Sequence, residues 1–466
     1  MSVHSPLGAT RSGAFDLRAP GLEARTAPSQ SWLGLLGLAG VLVTGLLVAI
    51  SAASTANLLP QTVKLAAPGV VGLQGSFGNT GIDLGGIGLT VVMVAMFACY
   101  LLTVSRAGQL SPRLVLGVIA ALNALMLLAP LLVSTDVFSY QFYGRTGATY
   151  HFNPYLAGPV ALHLDPLYWY IGSKWTGTAT VYGPLFTALS YLLAPFSIPA
   201  NVLAYKAIAA VSSLAIVALV WNGARLRGVS PVKAAALVGL NPLIVVYGVG
   251  GGHNDLLMLV PLLAGLVLLL QRRGRLGAGS IVVGVGIKMT AGLLLPFALA
   301  GARGQLFHTR RRELLIGAGV AAALLSIFTV ALFGAGPLHL PGTIENVQSK
   351  GNWQSIPGFI GTRLGLGTVG HPVALILGAL FAVALGWLLW RVWRGEIDWI
   401  AGAGWAAFAL LVTAASLLPW YVAWLMPLAA LGRDRRLWRA SILLTCLIAC
   451  FQLLAYIPHG NAVLGP

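Results

Sequence analysis

The chain has 466 residues, of which 58% are hydrophobic and only 8% charged, with a mean hydropathy of +0.86. A soluble domain carries roughly 25% charged residues, so no water-facing surface can be built from this composition, and the length counts membrane spans rather than soluble domains. The formal net charge of +17 does not point to nucleic acid, because the arginines fall in short clusters that lack interleaved aromatics and are separated by membrane-length apolar runs.

Residues 1–30 are polar and rich in Ser, Arg, Ala and Pro, which suits a disordered cytoplasmic tail; the apolar run that follows is too long for a signal core. Spanning-length apolar runs then lie near 32–52, 84–104, 113–133, 203–222, 232–249 and 255–271, and again near 313–334, 371–391, 397–415, 419–432 and 438–457. Two further segments, 184–198 and 277–299, are interrupted by Pro, Gly or Lys. If 184–198 crossed fully, the clusters at Arg225 and Arg272 would lie outside. Treating both segments as broken helices that return to their own side puts Arg106, Arg113, Arg225, Arg272, Arg310 and Arg433 in the cytoplasm, with the N-terminus in and the C-terminus out.

The expected fold is therefore all-α: a polytopic helical bundle of about 11–13 transmembrane helices, with a tail at 1–30 and one membrane domain over 31–466. The long outer loops are 134–202, dense in aromatics and prolines, and 335–370, which holds Trp353. Both should form helices lying at the membrane surface. There is no internal repeat, and only nine residues follow the last expected span, so no soluble C-terminal domain is expected. Cys99, Cys446 and Cys450 all sit in apolar runs and suit packing, not a disulfide or a metal set.

With eleven acids in the chain, carboxylate chemistry can be sought by elimination. Asp16, Glu23, Glu313, Glu396, Asp398 and Asp434 fall on the cytoplasmic side, which leaves Asp83, Asp136, Asp165, Asp255 and Glu345. An ionisable group at a membrane edge is costly, so one kept there is a functional candidate. Asp136 opens a segment in which a helix would set Tyr140 and Tyr143 beside it and turn Phe138 and Phe142 toward lipid. A capping aspartate on a surface helix would account for Asp136 equally well.

Asp255 closes Gly250-Gly251-Gly252-His253-Asn254-Asp255, where glycines permit close backbone approach and three polar side chains stand at the mouth of a span. A Gly-rich turn with an Asn or Asp cap also fits, but leaves His253 unexplained. Lys288, inside the second broken segment, needs a partner. An anionic ligand such as a phosphate would serve, as would snorkelling to the surface. Arg145 and Lys174 add outer cations. Asp165 precedes Pro166 and suits a turn, Trp420, Tyr421 and Trp424 suit an interfacial belt or a sugar platform, and Gly85, Gly86 and Gly88 are too weak for a phosphate loop.

The chain resembles the GT-C superfamily of polyprenyl-phosphate-sugar-dependent glycosyltransferases, and within it the actinobacterial α-1,6-mannosyltransferases that use polyprenyl-phosphate-mannose. The resemblance lies in Asp136-Val137-Phe138-Ser139-Tyr140, Gly144-Arg145, Asn153-Pro154-Tyr155, Tyr182-Gly183-Pro184, Gly252-His253-Asn254-Asp255, Gly286-Ile287-Lys288 and Pro419-Trp420-Tyr421 with Trp424, in order from about residue 113 onward. It implies a plasma-membrane glycosyltransferase whose donor is a polyprenyl-phosphate-mannose and whose acceptor is a mannoside or lipoglycan. Asp136 would be the general base, Lys288 and Arg145 would meet the donor phosphate, and Tyr140, Tyr143, His253, Asn254, Asp255, Trp420 and Tyr421 would hold sugar or acceptor. Many GT-C enzymes pair two acids where this chain has Thr135 before Asp136, so a bound divalent ion is disfavoured and no cofactor is expected. A secondary transporter or lipid-linked-sugar flippase, using Asp255 and Lys288 as intramembrane charges, is the alternative; it would normally show repeated halves. A non-catalytic scaffold would leave those charges without a purpose.

Overall fold

The computed structural model describes residues 31–54, 58, 75–78, 80–302, 307–367 and 369–454; the tail expected at 1–30 lies outside them. Every regular element among the described residues is helical. In chain order these are α1 (Trp32–Ala52), α2 (Gly85–Arg106), α3 (Pro112–Leu128), α4 (Asp136–Ala148), α5 (Pro184–Leu193), α6 (Ile198–Arg227), α7 (Pro231–Gly239), α8 (Asn254–Leu270) and α9 (Gly274–Ile287). There follow α10 (Leu294–Gly301), α11 (Phe307–Phe333), α12 (Leu340–Ser349), α13 (Ile356–Arg363), α14 (His371–Arg394), α15 (Trp399–Thr413), α16 (Val422–Leu431) and α17 (Arg435–Leu454).

Local chemistry explains several of the boundaries. Ser31, Ser197 and Ser230 each accept a bond from a backbone N–H in the first turn of α1, α6 and α7, and proline stands at the start of the last two. Helices α6 and α14 end on Gly228 and Gly395 in the left-handed conformation, with arginines in their last turns.

The described residues contain six helices long and apolar enough to cross a membrane, or seven if the pair formed by α7 and the π-helical turn Leu243–Val249, bent by 51°, counts as one. The bundle is thus a polytopic membrane protein, with fewer long helices than the eleven uninterrupted runs in the sequence. Apolarity marks what is buried and does not show where a helix stops. The run 113–133 loses its helix at Leu128, before Pro130, and the run 255–271 makes a 17-residue helix. The interrupted segment 277–299 forms α9 and α10, joined at Lys288, whose backbone is extended. Segment 184–198 gives only the ten residues of α5.

The helices sort the charges to two ends. The last turns of α2, α6 and α14 carry Arg106, Arg225 with Arg227, and Arg391 with Arg394, next to the starts of α15 and α17. Arg227 pairs with Asp398 at 3.0 Å and donates to the Leu431 carbonyl, and Arg275 pairs with Glu313. At the other end α3 gives way to α4, α8 begins, α9 turns into α10, and α16 begins. Helix α6 joins the two ends; its 30 residues measure about 45 Å.

Candidate active site

The non-basic end is built where five chain segments meet. The first is the extended stretch between α3 and α4. The Leu132 N–H donates to the Gly250 carbonyl, and Val133 is held at φ 51°, a left-handed conformation that a β-branched residue adopts only under strain. The second is the glycine turn 250–252, where Gly252 sits at φ 65° and a Cβ there would lie 2.9 Å from a Val137 methyl group. The third is the turn before α5: the Gly183 N–H donates to the Ile287 carbonyl, and a Cβ on Gly183 would lie 2.3 Å from the Gly286 carbonyl oxygen. That approach brings in the fourth segment, Lys288. The fifth is Pro419–Tyr421 with the start of α16.

Asp136 opens α4, and its carboxylate stands 3.5 Å from Nδ1 of His253. The imidazole is fully buried while the Asp136 side chain keeps 26% of its exposure, so the cluster opens on the Asp136 side. The other face of His253 stacks on Trp420, with ring centroids 3.4 Å apart and planes at 15°. The Tyr140 hydroxyl lies 3.4 Å from His253 Nδ1 and 3.5 Å from Asn254 Oδ1, long contacts for hydrogen bonds. Burial among Tyr182, Phe186 and Tyr205, then the charges of Asp136 and Asp255, push the Tyr140 hydroxyl well above its ordinary value, so it stays protonated and acts as a donor.

Asp255 is buried and takes two bonds on one oxygen, 2.7 Å from Lys288 Nζ and 2.8 Å from Trp424 Nε1. Lys288 also lies over the rings of Tyr421 (4.8 Å) and Trp424 (5.3 Å), which stack on each other at 4.2 Å. Lys288 therefore has a carboxylate and two aromatic faces as partners within the protein. The second oxygen of Asp255, Nε2 of His253, Nδ2 of Asn254, Oγ1 of Thr290 and Nε1 of Trp420 are buried without a hydrogen-bond partner. Buried polar atoms are nearly always satisfied, so the four such atoms on His253, Asn254, Asp255 and Trp420 mark a site built to meet a polar ligand.

Of the residues singled out in the sequence, the structure thus gathers Asp136, Tyr140, His253, Asn254, Asp255, Lys288, Trp420 and Tyr421 around one cluster, with Trp424 beside them. Tyr143 stands at the edge of this cluster, its ring 6.2 Å from that of Tyr182, and Arg145 is held by other partners. The Tyr143 hydroxyl donates to the Thr178 carbonyl at 2.8 Å. Arg145, in the last turn of α4, is held by Asp165 at 2.8 Å, and the same carboxylate accepts from Tyr150 while Asp165 also caps the turn at Pro166. Phe138 and Phe142, expected to face lipid, are buried. Helix α4 is not a surface helix: Tyr170 packs against Phe138, and α5 and α6 cover its other sides. Lys174 reaches over to the Gly351 carbonyl and Lys350 to Thr178, so the two long loops meet above the cluster. Among the described residues no three of His, Cys, Asp and Glu converge in a metal-binding group.

Lys206 was missed because it lies inside the run 203–222, which was read only as a span. It is buried on α6, and its Nζ donates to the carbonyls of Ala129 and Pro130, which leaves α3 through the strained stretch leading to Asp136. A lysine inside a membrane-length apolar helix is itself the signal that could have found it.

The structure defines a polytopic membrane protein that gathers an acid, an imidazole and a lysine behind aromatic walls. Residues 31–303 match the family described as alpha-(1->6)-mannopyranosyltransferase, N-terminal domain, and residues 354–466 match the MptB C-terminal domain. Alpha-(1->6)-mannopyranosyltransferase A of Mycobacterium tuberculosis is 31% identical over 66% of this chain and 64% of its own length. Alpha-(1->6)-mannopyranosyltransferase B of Corynebacterium glutamicum is 29% identical over 91% of this chain and 79% of its own length. The chain belongs to this family of GT-C-type mannosyltransferases, which disfavours a transporter. No solved structure matches it.

Proposed function

We propose that the protein transfers mannose from a polyprenyl-phosphate-mannose to a mannoside or lipoglycan acceptor at the outer face of the plasma membrane, with inversion at the anomeric carbon. The observation that carries this is the pairing of a partly exposed carboxylate, Asp136, with a buried polar set whose hydrogen-bonding capacity is unmet. In the proposed step the acceptor hydroxyl oxygen bonds to the anomeric carbon as the bond from that carbon to the donor phosphate oxygen breaks. The proton passes to Asp136, and polyprenyl phosphate leaves as an anion that needs cations, not an acid.

His253 would hold the Asp136 carboxylate from one side, and Tyr140, a protonated donor, would bear on His253 and Asn254. Lys288 carries the positive charge nearest this set; on arrival of the donor phosphate it would divide its charge between the phosphate and Asp255. Arg145 would have to give up Asp165 to take part, so Lys288 is the stronger candidate for the phosphate. The free oxygen of Asp255, Asn254, Trp420 and Tyr421 would meet sugar hydroxyls and faces. No cofactor enters the step, and chelation of divalent ions is expected to leave the rate unchanged.

The test uses purified protein in liposomes with radiolabelled polyprenyl-phosphate-mannose and a short α-mannoside. An α-linked product from the wild type and none from Asp136→Asn would support the proposal; equal product from both would sink the role of Asp136. Release of the label by α-mannosidase, and its resistance to β-mannosidase, checks inversion of a β-linked donor. A cysteine introduced beside Asp136 should react with an impermeant reagent applied from outside the cell.

A further inference from the structure

We propose that the basic end of the bundle carries a second site, separate from the Asp136 cluster, that binds the phosphate headgroup of an anionic phospholipid. A cavity of about 790 Å³ opens between the end of α2, the turn from α6 to α7 and the turn from α16 to α17. Its polar part is strongly cationic: Lys233, Arg433, Arg435 and Arg439 line it against one carboxylate, Asp434. That carboxylate is already engaged. One of its oxygens accepts from the backbone of Arg436 and Leu437, and the other from Trp405 Nε1 at 2.9 Å. Among the described residues the four cations form no ion pair, in contrast to Arg227, Arg275, Arg391 and Arg394, each of which has a carboxylate.

Apart from Ser105 and Ser230, the rest of the wall is apolar. Leu101, Val104, Val229, Trp438 and Ile442 continue the cavity down the bundle, beneath the charged rim. Four unpaired cations above an apolar wall suit a molecule with a phosphate at one end and acyl chains at the other, and a soluble anion would use only the rim. Two features of the backbone add to the rim. Arg433 is held at φ 55°, an unfavourable conformation for arginine, between Gly432 and the Asp434 cap. The first turn of α7, capped by Ser230, faces the same space and adds the partial positive charge of a helix start. The site lies at the far end of α6 from Lys206, so it does not depend on the function proposed for the Asp136 cluster.

The experiment measures retention of lipid by native mass spectrometry on full-length protein released from nanodiscs of phosphatidylcholine with one tenth phosphatidylglycerol, with and without inorganic phosphate. The wild type is expected to keep phosphatidylglycerol in preference to phosphatidylcholine, unaffected by phosphate. The variant Arg433→Gln/Arg439→Gln should keep it about tenfold less or weaker still, as loss of two surface cations predicts. Lys233→Gln, a single exposed change, gives a smaller loss in the same direction and serves if the double variant does not fold. Equal retention of the two lipids by the wild type, or undiminished retention by a folded variant, would overturn the site. Displacement of the lipid by millimolar inorganic phosphate would overturn its assignment to a lipid. Because mannosyl transfer is not the readout, a negative result here leaves the catalytic proposal standing, and the reverse also holds.

Discussion

The two ends of the bundle handle charge in opposite ways. At the basic end most ion pairs are at the surface: the side chains of Arg275 and Glu313 keep 60% and 32% of their exposure, and of the paired arginines there Arg227 alone, at 14%, is as covered as Lys288. At the Asp136 end the Lys288 and Asp255 side chains keep 14% and 1%, and Lys206 is buried outright. A surface pair is screened by water and contributes little, whereas a buried charge stripped of its partner is costly. Stability and activity should therefore respond sharply to charge removal at one end and barely at the other.

The largest effect is expected at Asp136. Replacement by Asn keeps the shape and removes the proton acceptor, so turnover in the liposome assay should fall by about 10²–10⁴-fold, the usual span for loss of a general base. The melting temperature should hardly move, since Asp136 is partly exposed and its contact with His253 is 3.5 Å long. A variant that loses its fold along with its activity would make Asp136 a structural residue and blur the contrast between the ends.

The next effect separates the pair from its members. Lys288→Met leaves Asp255 as a buried charge held only by Trp424 Nε1, and should cost about 3–5 kcal/mol. Adding Asp255→Asn should restore most of that stability without restoring transfer. Equal stability of the single and double variants, measured by thermal unfolding in one detergent, would show that the two residues do not act as a unit. Lys206→Met comes third. It orphans the carbonyls of Ala129 and Pro130 and should cost roughly 2 kcal/mol, with turnover lowered and the KM for donor kept, because the stretch that carries Asp136 loosens while the binding wall stays.

Much of the candidate site's geometry was legible in the sequence because its parts are short motifs with local meaning. Gly250 to Asp255 announces a turn that admits close approach, Gly183 is glycine because it nearly touches the Gly286 carbonyl, and Gly286 leaves room for the side chains of Leu185 and Leu325. What could not be read is pairing across the chain. Lys288 finds Asp255 at a separation of 33 residues, and Arg145 finds Asp165 at 20. Nothing local distinguishes a lysine waiting for a phosphate from one already paired. The burial of Phe138 and Phe142 was hidden for the same reason, since it depends on Tyr170 and on α5, which follow later. Hydropathy gives the apolar runs but not the breaks within them, such as the 51° bend after α7.

At the basic end Asp434 also has a built environment, set by Trp405 and the start of α17. Desolvation alone would raise its value, but the bond from Trp405 and those from the Leu437 and Arg436 backbone outweigh it and set it below the ordinary 3.8. Its contribution is then fully present above about pH 4 and lost as pH falls further. Asp434→Ala should cost about 1 kcal/mol near neutral pH, as for any helix cap, and the gap from wild type should narrow in unfolding curves recorded at lower pH. A gap independent of pH would assign the effect to packing against Trp405.

The smallest effect is the sharpest check on the comparison. Arg275 donates to Glu313 in a well-formed pair at 2.5–2.8 Å, and on distance alone it would rank with Lys288 and Asp255. What separates the two pairs is solvent. Water already solvates the Arg275 guanidinium, so removing it strands nothing in a low-dielectric interior, and the Glu313 carboxylate recovers hydration in exchange for its partner. Arg275→Ala should leave both turnover and melting temperature within error of the wild type, at low salt as at high. A clear drop would mean that this end is covered in the native membrane, and the phospholipid site around Arg433 would be the first place to look for what covers it.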